Sequence, residues 1–347
     1  MKEIVIIGSG FGGIFTYLKL KKYNPIIISA STKFNKLKKI NERENLNINK
    51  FFSEKTKSFG SLKFDLLSKT KLHDRISLGG NSNIWGGFID ISNLNKEFIR
   101  LSEKNNLKLS ILDLKKNGYA SNNNNIRQIR SNTDSIFNAN NLCKNIYEGL
   151  LYSFSIEKNF VKLIVYDKNN NINVIKSRKV ILCINLPQLL DLLFRSQMLE
   201  NRSIFEISEY EHFFELSFKK KFKNYNYKKN LVIKYDAVRS FKHFLGYQKS
   251  LDNFFLNFPI YINQNFLNNK RKLTLELRGQ SVVQKSKNIK FGESIHYCNL
   301  IINNKNIDDF LGNISNNIFG LSTPFVNQKL PGPISNDIIN KIYSKIN

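Results

Sequence analysis

Two glycine-rich segments and one histidine carry the residue types from which chemistry could be built. The first segment is Gly8-Ser9-Gly10-Phe11-Gly12-Gly13, which has the spacing G-x-G-x-x-G and directly follows the apolar run Ile4-Val5-Ile6-Ile7. Between a strand and a helix each glycine of that spacing has a purpose. Gly8 permits the tight turn, Gly10 lets the backbone approach a pyrophosphate, and Gly13 lets the helix lie close to the strand. The helix N-terminus adds amides and the positive end of a dipole, with Ser9, Phe11 and Gly12 completing the cradle. The pattern points to a dinucleotide; a glycine turn without a ligand is the plainer alternative. The acid that usually ends the next strand and holds the adenosine ribose is missing, because the chain there reads Ile28-Ser29-Ala30-Ser31. Ser29 offers a ribose a hydroxyl in place of a carboxylate, or the position suits a phosphorylated ribose.

The second segment is Leu78-Gly79-Gly80-Asn81-Ser82-Asn83-Ile84-Trp85-Gly86-Gly87, which holds four glycines and the single tryptophan of the chain. Such a backbone cannot form an ordinary helix or central strand, and it suits a loop pressed against a large flat ligand. A structural turn with Trp85 plugging the core competes with that reading. The histidine is His296, in Ser294-Ile295-His296-Tyr297. Oxidising an alcohol removes a hydroxyl proton as hydride leaves the carbon, so a base that titrates near neutral pH belongs beside that carbon. A structural histidine is the alternative.

These segments resemble marks of the glucose-methanol-choline family of flavoprotein oxidoreductases. Gly79, Gly80, Asn81, Ser82, Asn83, Trp85, Gly86 and Gly87 fall in a stretch similar to the family's Gly-Gly-x-Ser-x-x-x-Gly flavin-contact loop. Lys179 to Leu190 resembles the strand and helix that pack beside the dinucleotide, with Ile184 and Asn185 where the family has glycine. Ser294 to Tyr297 resembles the segment of the active-site histidine, although Cys298-Asn299-Leu300 replaces the Gly-Thr that follows it. Gly320 to Asn340 resembles the closing segment. There Gly332-Pro333-Ile334 stands where the family has Asn-Pro-Thr, so Pro333 is kept, the second active-site residue is not, and Asn336 is the nearby amide.

The resemblance implies FAD as cofactor, His296 as base, and oxidation of a CH–OH group on a polar, sugar-like substrate or polysaccharide precursor. The electron acceptor is not indicated. Two other functions stay open: a catalytically degenerate nucleotide-binding relative with a binding or assembly role, and an NAD(P)-linked oxidoreductase. The resemblance covers residues 1 to 30, 75 to 92, 175 to 195 and 290 to 345, in a chain shorter than typical family members.

The elements that must position these residues follow from periodicity. Ile4 to Ile7, a helix over Ile14 to Lys22 and a strand over Pro25 to Ile28 make a β-α-β unit. Residues 31 to 78 read as an irregular polar excursion. Strands at Tyr152 to Glu157, Val161 to Tyr166 and Ile172 to Ile175 make a meander, with Asn169 to Asn171 as a turn. It leads to a buried strand at Lys179 to Ile184 and a helix over Leu186 to Phe194. Phe213 to Phe218, Leu231 to Tyr235, Phe254 to Ile262 and Lys272 to Leu277 read as an antiparallel sheet. Ser294 to Ile302, Ile318 to Phe325 and a helix over Ile338 to Ile342 close the chain. The expected fold is α/β: a Rossmann-type FAD-binding domain with parallel sheet and meander, formed by 1–195 and 290–347. A smaller antiparallel-sheet substrate domain spans 196–289.

With 347 residues, of which 41% are hydrophobic and 12% aromatic, the chain has material for a sizeable core and is not of the disordered class. Its net charge of +27 comes from lysine scattered along an Asn- and Ile-rich chain, without a recognisable nucleic-acid module. A small polar substrate is the expected partner, with no specific nucleic acid. Cys143, Cys183 and Cys298 are far apart and make neither a disulfide framework nor a zinc site, so no metal and a reducing, cytoplasmic setting are expected. Cys298 is two residues from His296 and is the cysteine that could link to flavin. His73, His212 and His243 lack metal-ligand spacing, and the Lys219-Lys220-Lys221 run reads as a solvated face. No apolar run reaches the roughly 18 residues of a membrane span, and no leader is expected, while peripheral membrane contact stays open.

Overall fold

The computed structural model describes residues 1–29, 61–67, 70, 72, 78–80, 88–91, 94–111, 126–131, 142, 145–167, 171–212, 215–216, 262–263, 268–287, 291, 297–327 and 334–346, and every structural statement concerns these. In chain order, β1 (Lys2–Ile7), α1 (Phe11–Leu20) and β2 (Ile26–Ser29) open the fold, followed by β3 (Lys63–Asp65). Next come β4 (Phe88–Asp90), α2 (Lys96–Lys104), β5 (Leu107–Ile111) and β6 (Ile126–Ser131). The centre holds β7 (Ile146–Ile156), β8 (Val161–Asp167), β9 (Ile172–Leu182) and α3 (Leu186–Arg195). Then follow β10 (Ile204–His212), β11 (Glu215–Leu216), β12 (Ile262–Asn263), β13 (Asn268–Arg278) and β14 (Ser281–Gln284). The chain closes with β15 (Tyr297–Ile302), β16 (Lys305–Asn306), α4 (Ile307–Ile314), β17 (Ile318–Gly320) and α5 (Ile334–Lys345).

The first sheet is parallel through the order β7, β2, β1, β9 and β17. Ile4 to Ile7 of β1 and Val180 to Leu182 of β9 are buried whichever face they point to, as in central parallel strands, and Val180 pairs with Val5 on one side and Ile318 on the other. β7 and β9 each run on into an antiparallel meander with β8. The sequence suggested two strands over 172–184, broken at Lys176-Ser177-Arg178. The structure instead has one strand that changes partner at Ser177, from β8 to β1. The polar residues are tolerated because Lys176 and Arg178 are exposed, and Ser177 donates a hydrogen bond to the Lys179 carbonyl at 2.7 Å.

Alternate residues of the parallel strands feed two cores, as a period of two requires. Val5, Ile7, Ile28 and Leu182 join Leu189 and Leu193 of α3 with Phe205, Leu273 and Leu275 of the second sheet. Ile4, Ile6, Ile27 and Ile181 join Ile14, Phe15 and Leu18 of α1 with Ile338, Ile339 and Ile342 of α5. The result is a layered, mixed α/β molecule.

The second sheet has the order β16, β15, β10, β13, β14, β3, antiparallel except where β14 meets β3. Its membership does not follow a boundary at 196–289, because β15 pairs along β10 and β3 joins from before residue 70. Most of the strands expected over 213–262 lie outside the described residues; β11 pairs with β12 at the margins of that stretch. A third, three-stranded sheet of β4, β6 and β5 was not foreseen. Phe98 of α2, beside that sheet, packs its ring 4.7 Å from that of Phe15 on α1. Among the described residues no helix is long and apolar enough to cross a membrane.

Candidate functional site

The Gly8 to Gly13 turn joins the C-terminal end of β1 to the first turn of α1, where the spacing placed it. Gly8 has φ +97°, and a Cβ there would lie 2.5 Å from the Cys183 carbonyl oxygen on the strand beside it. A Cβ on Gly13 would lie 2.0 Å from the Gly8 carbonyl oxygen, and one on Gly12 would lie 2.0 Å from the Leu321 carbonyl oxygen. These three positions are glycine because the protein itself fills the space. Gly10 differs. A Cβ there would meet nothing nearer than the Gly79 carbonyl oxygen at 3.9 Å, and its φ of −67° is open to any residue. Among the described residues nothing else fills the space above Gly10, which sits at the N-cap of α1, where a phosphate is favoured.

One side chain gathers the separate segments around that space. Ser9, buried, shares a hydrogen bond of 2.6 Å with the Ser29 hydroxyl at the end of β2. The Gly79 amide donates to the Ser9 oxygen at 2.8 Å, bringing in the start of the second glycine-rich segment. Gly79 and Gly80 both have positive φ, +83° and +47°, which glycine adopts without strain. Three motifs that are separate in sequence therefore meet at one hydroxyl.

The closing segment completes the wall. The Leu321 amide donates to the Leu182 carbonyl at 2.9 Å, and the Ser322 hydroxyl donates to the Ile184 carbonyl at 2.7 Å. Asn185 takes the N-cap position of α3 just beyond. Ile338 of α5 approaches Gly12, so the first turn of α5, with half-buried Asn336 and Asp337, adjoins the first turn of α1. Lys341, one turn further on, holds Asp308 and the Phe325 carbonyl.

Burial raises the Asp337 carboxyl from 3.8 to about 6, overcoming the preference of a helix N-terminus for an anion. The sign follows. The protonated folded state is favoured, so the contribution is whole below about pH 4 and is lost as pH rises through about 6. Asp337→Asn, neutral throughout, should raise the melting temperature over wild type at pH 8. The gain should disappear by pH 4, and melting curves at the two pH values check it.

Cys183, buried beside Gly8, has its thiol pushed up to about 12 by burial and fills an apolar role. Cys298, with 0% exposure, lies in β15 opposite Ser208 and packs in the core that includes Phe11 and Leu321. Asn81, Ser82, Asn83, Trp85, Gly86, Gly87, His296 and Pro333 lie outside the described residues, as do His73, His243 and Cys143. Tyr297, which follows His296, is fully buried and stacks on Phe291 at 5.7 Å.

Two carboxylates were missed by the sequence reading. Glu209 of β10, fully buried, stands opposite Tyr297 on one side and Arg271 on the other. An acid in the alternating positions Phe205, Ile207 and Glu209 was the available signal. Glu148 of β7 stands in register with Ser29. Among the described residues no group of three or more His, Cys, Asp or Glu could hold a metal ion.

No protein-family model matches the sequence, and no curated protein matches it. Among solved structures, pyridoxine 4-oxidase from Mesorbium loti superposes with a TM-score of 0.37 at 12% identity, over 61% of this chain and 60% of that one. p-Nitrophenol 4-monooxygenase from Pseudomonas putida DLL-E4 gives 0.29 at 7% identity, over 60% and 47%. A flavoprotein/dehydrogenase from Cytophaga hutchinsonii gives 0.27 at 11%, over 59% and 46%. The aligned region is thus about half to three fifths of the length of those proteins, and superpositions this loose carry neither fold nor function.

Proposed function

We propose that this chain binds FAD and is an oxidoreductase that oxidises a CH–OH group of a polar, sugar-like substrate. The observation that carries the cofactor is the convergence at the Ser9 hydroxyl of the β1–α1 turn, the end of β2 and Gly79, around a space at Gly10 that the described residues leave open. Gly8, Gly10 and Gly13 with the N-terminus of α1 would hold the pyrophosphate, and Gly79, Gly80 and the segment to Gly87 would lie along the ring system. Asn185 and the first turn of α5, with Pro333 before it, would close the site. Bound flavin supplies a hydride acceptor, which no side chain can provide. His296 would take the hydroxyl proton of the substrate, and Asn336 would be the amide that orients that hydroxyl.

The test is the absorption spectrum of the purified protein between about 300 and 550 nm, before and after anaerobic addition of sugars, where flavin bands appear and bleach on reduction. Yellow protein that a sugar bleaches supports the whole proposal. His296→Ala should then keep the bands and lose about 100-fold or more in the bleaching rate. Unchanged bleaching removes His296 as base. Colourless protein that FAD cannot reconstitute removes the cofactor and favours the degenerate nucleotide-binding relative.

A further inference from the structure

We propose that Glu148 of β7 supplies the carboxylate that the end of β2 lacks and receives the adenosine ribose hydroxyls of the bound dinucleotide, an inference that rests on the FAD-binding reading above. In a fold of this topology a ribose is usually held by an acid ending the second strand. Here that residue is Ser29, which is 4% exposed and whose hydroxyl is engaged with Ser9. Ser29 braces the glycine turn. A ribose needs another acceptor.

The neighbouring strand places one at the same level. β7 pairs with β2 in parallel, with Ile27 opposite Ile146, Ile28 opposite Tyr147 and Ser29 opposite Glu148. Partners in a parallel pair share a face, and the cores confirm it. Ile27 and Ile146 pack together on the α1 side, while Ile28 and Tyr147 pack on the other. Ser29 and Glu148 are the next pair after Ile28 and Tyr147, so both return to the α1 side. That is the side on which Ser29 reaches the glycine turn, and Glu148 there is half-buried. Glu148 sits one strand spacing, about 4.8 Å, from the usual position, and glutamate is one methylene longer than aspartate. At the end of β7's parallel pairing it faces the mouth of the nucleotide cleft, which lies beyond the C-terminal ends of such strands.

The same charge has a second consequence. A carboxylate accepts hydrogen bonds from a 2′-hydroxyl and a 3′-hydroxyl but repels a 2′-phosphate, so Glu148 makes the site selective for an unphosphorylated ribose.

The test is calorimetric titration of the full chain with FAD, ADP, 2′-deoxy-ADP and adenosine 2′,5′-bisphosphate, for wild type, Glu148→Gln and Glu148→Asp. Wild type should bind ADP about 10- to 100-fold more tightly than 2′-deoxy-ADP, the size of a hydrogen bond to a charged group. It should reject the bisphosphate. Glu148→Gln, which keeps a neutral acceptor, should narrow the preference for ADP over 2′-deoxy-ADP to a few-fold, weaken FAD by about 10-fold and gain affinity for the bisphosphate. Glu148→Asp, which keeps the charge, should still reject the bisphosphate while losing part of the preference for ADP. Wild type and Glu148→Gln that bind FAD equally, with the same preference for ADP over 2′-deoxy-ADP, overturn the role of Glu148 and leave the FAD reading standing. Wild type that binds neither FAD nor ADP overturns both.

Discussion

Alanine at Gly10 should leave the apo-protein folded and weaken FAD by about 100-fold or more, whereas alanine at Gly13 should damage the fold itself. The two glycines are three residues apart in one turn and look equivalent in the motif. Their surroundings separate them. At Gly10 the backbone conformation suits alanine and, among the described residues, the added methyl group would have a single neighbour, at ordinary contact distance. The methyl would instead occupy the space in which a pyrophosphate approaches the chain. The melting temperature of apo Gly10→Ala should therefore stay within about 2 °C of wild type. At Gly13 the methyl would overlap the Gly8 carbonyl oxygen at 2.0 Å, and Cys183 and the turn behind it allow no retreat. Helix α1 must move away from β1, a change of the kind that costs about 3 kcal/mol or more, and the melting temperature should fall by about 5 °C or more. Melting curves without ligand and FAD titrations give the two readouts. A Gly10→Ala protein that binds FAD like wild type would show that the space above Gly10 is not the pyrophosphate site.

This division between glycines also marks what the sequence could tell. The strand, turn and helix around Gly8 to Gly13 are local, and local pattern located them, as it did the meander at β7 and β8 and the helix α3. What pattern could not supply is which distant segments meet. Ser9 contacts Gly79 across seventy residues, and nothing in either segment announces the other. Glu148 was unremarked because its meaning comes from the register of β7 on β2, a pairing of segments more than a hundred residues apart. β9 was read as two strands for a related reason. Its polar middle looks like an interruption until the change of partner at Ser177 explains it. A charge pair within one apolar helix was equally easy to miss, as the buried pair formed by Asp191 and Arg195 shows.

Asp191→Ala should lower stability by about 3 to 5 kcal/mol, the cost of leaving a buried ionic partner alone. The two side chains are 8% and 5% exposed and meet at 3.1 Å, one turn apart on α3. The other carboxylate oxygen accepts the amides of Ser61 at 2.7 Å and Leu62 at 2.9 Å, which lead into β3. Arg195 lies over the Tyr152 ring at 4.8 Å, so the cluster joins α3, β7 and the start of β3. Burial pulls the Arg195 guanidinium below its usual range, and Asp191 is the largest influence opposing that. Removing the carboxylate thus strands one charge and two backbone donors together. Asp191→Asn keeps an acceptor for the amides and should cost clearly less than alanine. Replacing both residues, as Asp191→Leu with Arg195→Met, removes the stranded charge and should recover part of the loss, though the two amides remain without their acceptor. Denaturant titrations of the three variants give the ranking. Alanine and asparagine of equal cost would mean that the amides find another acceptor and that the ion pair alone matters. No residue of this cluster belongs to the glycine cradle. Each variant that still folds should therefore saturate with FAD near the wild-type affinity, the reverse of the pattern expected for Gly10→Ala.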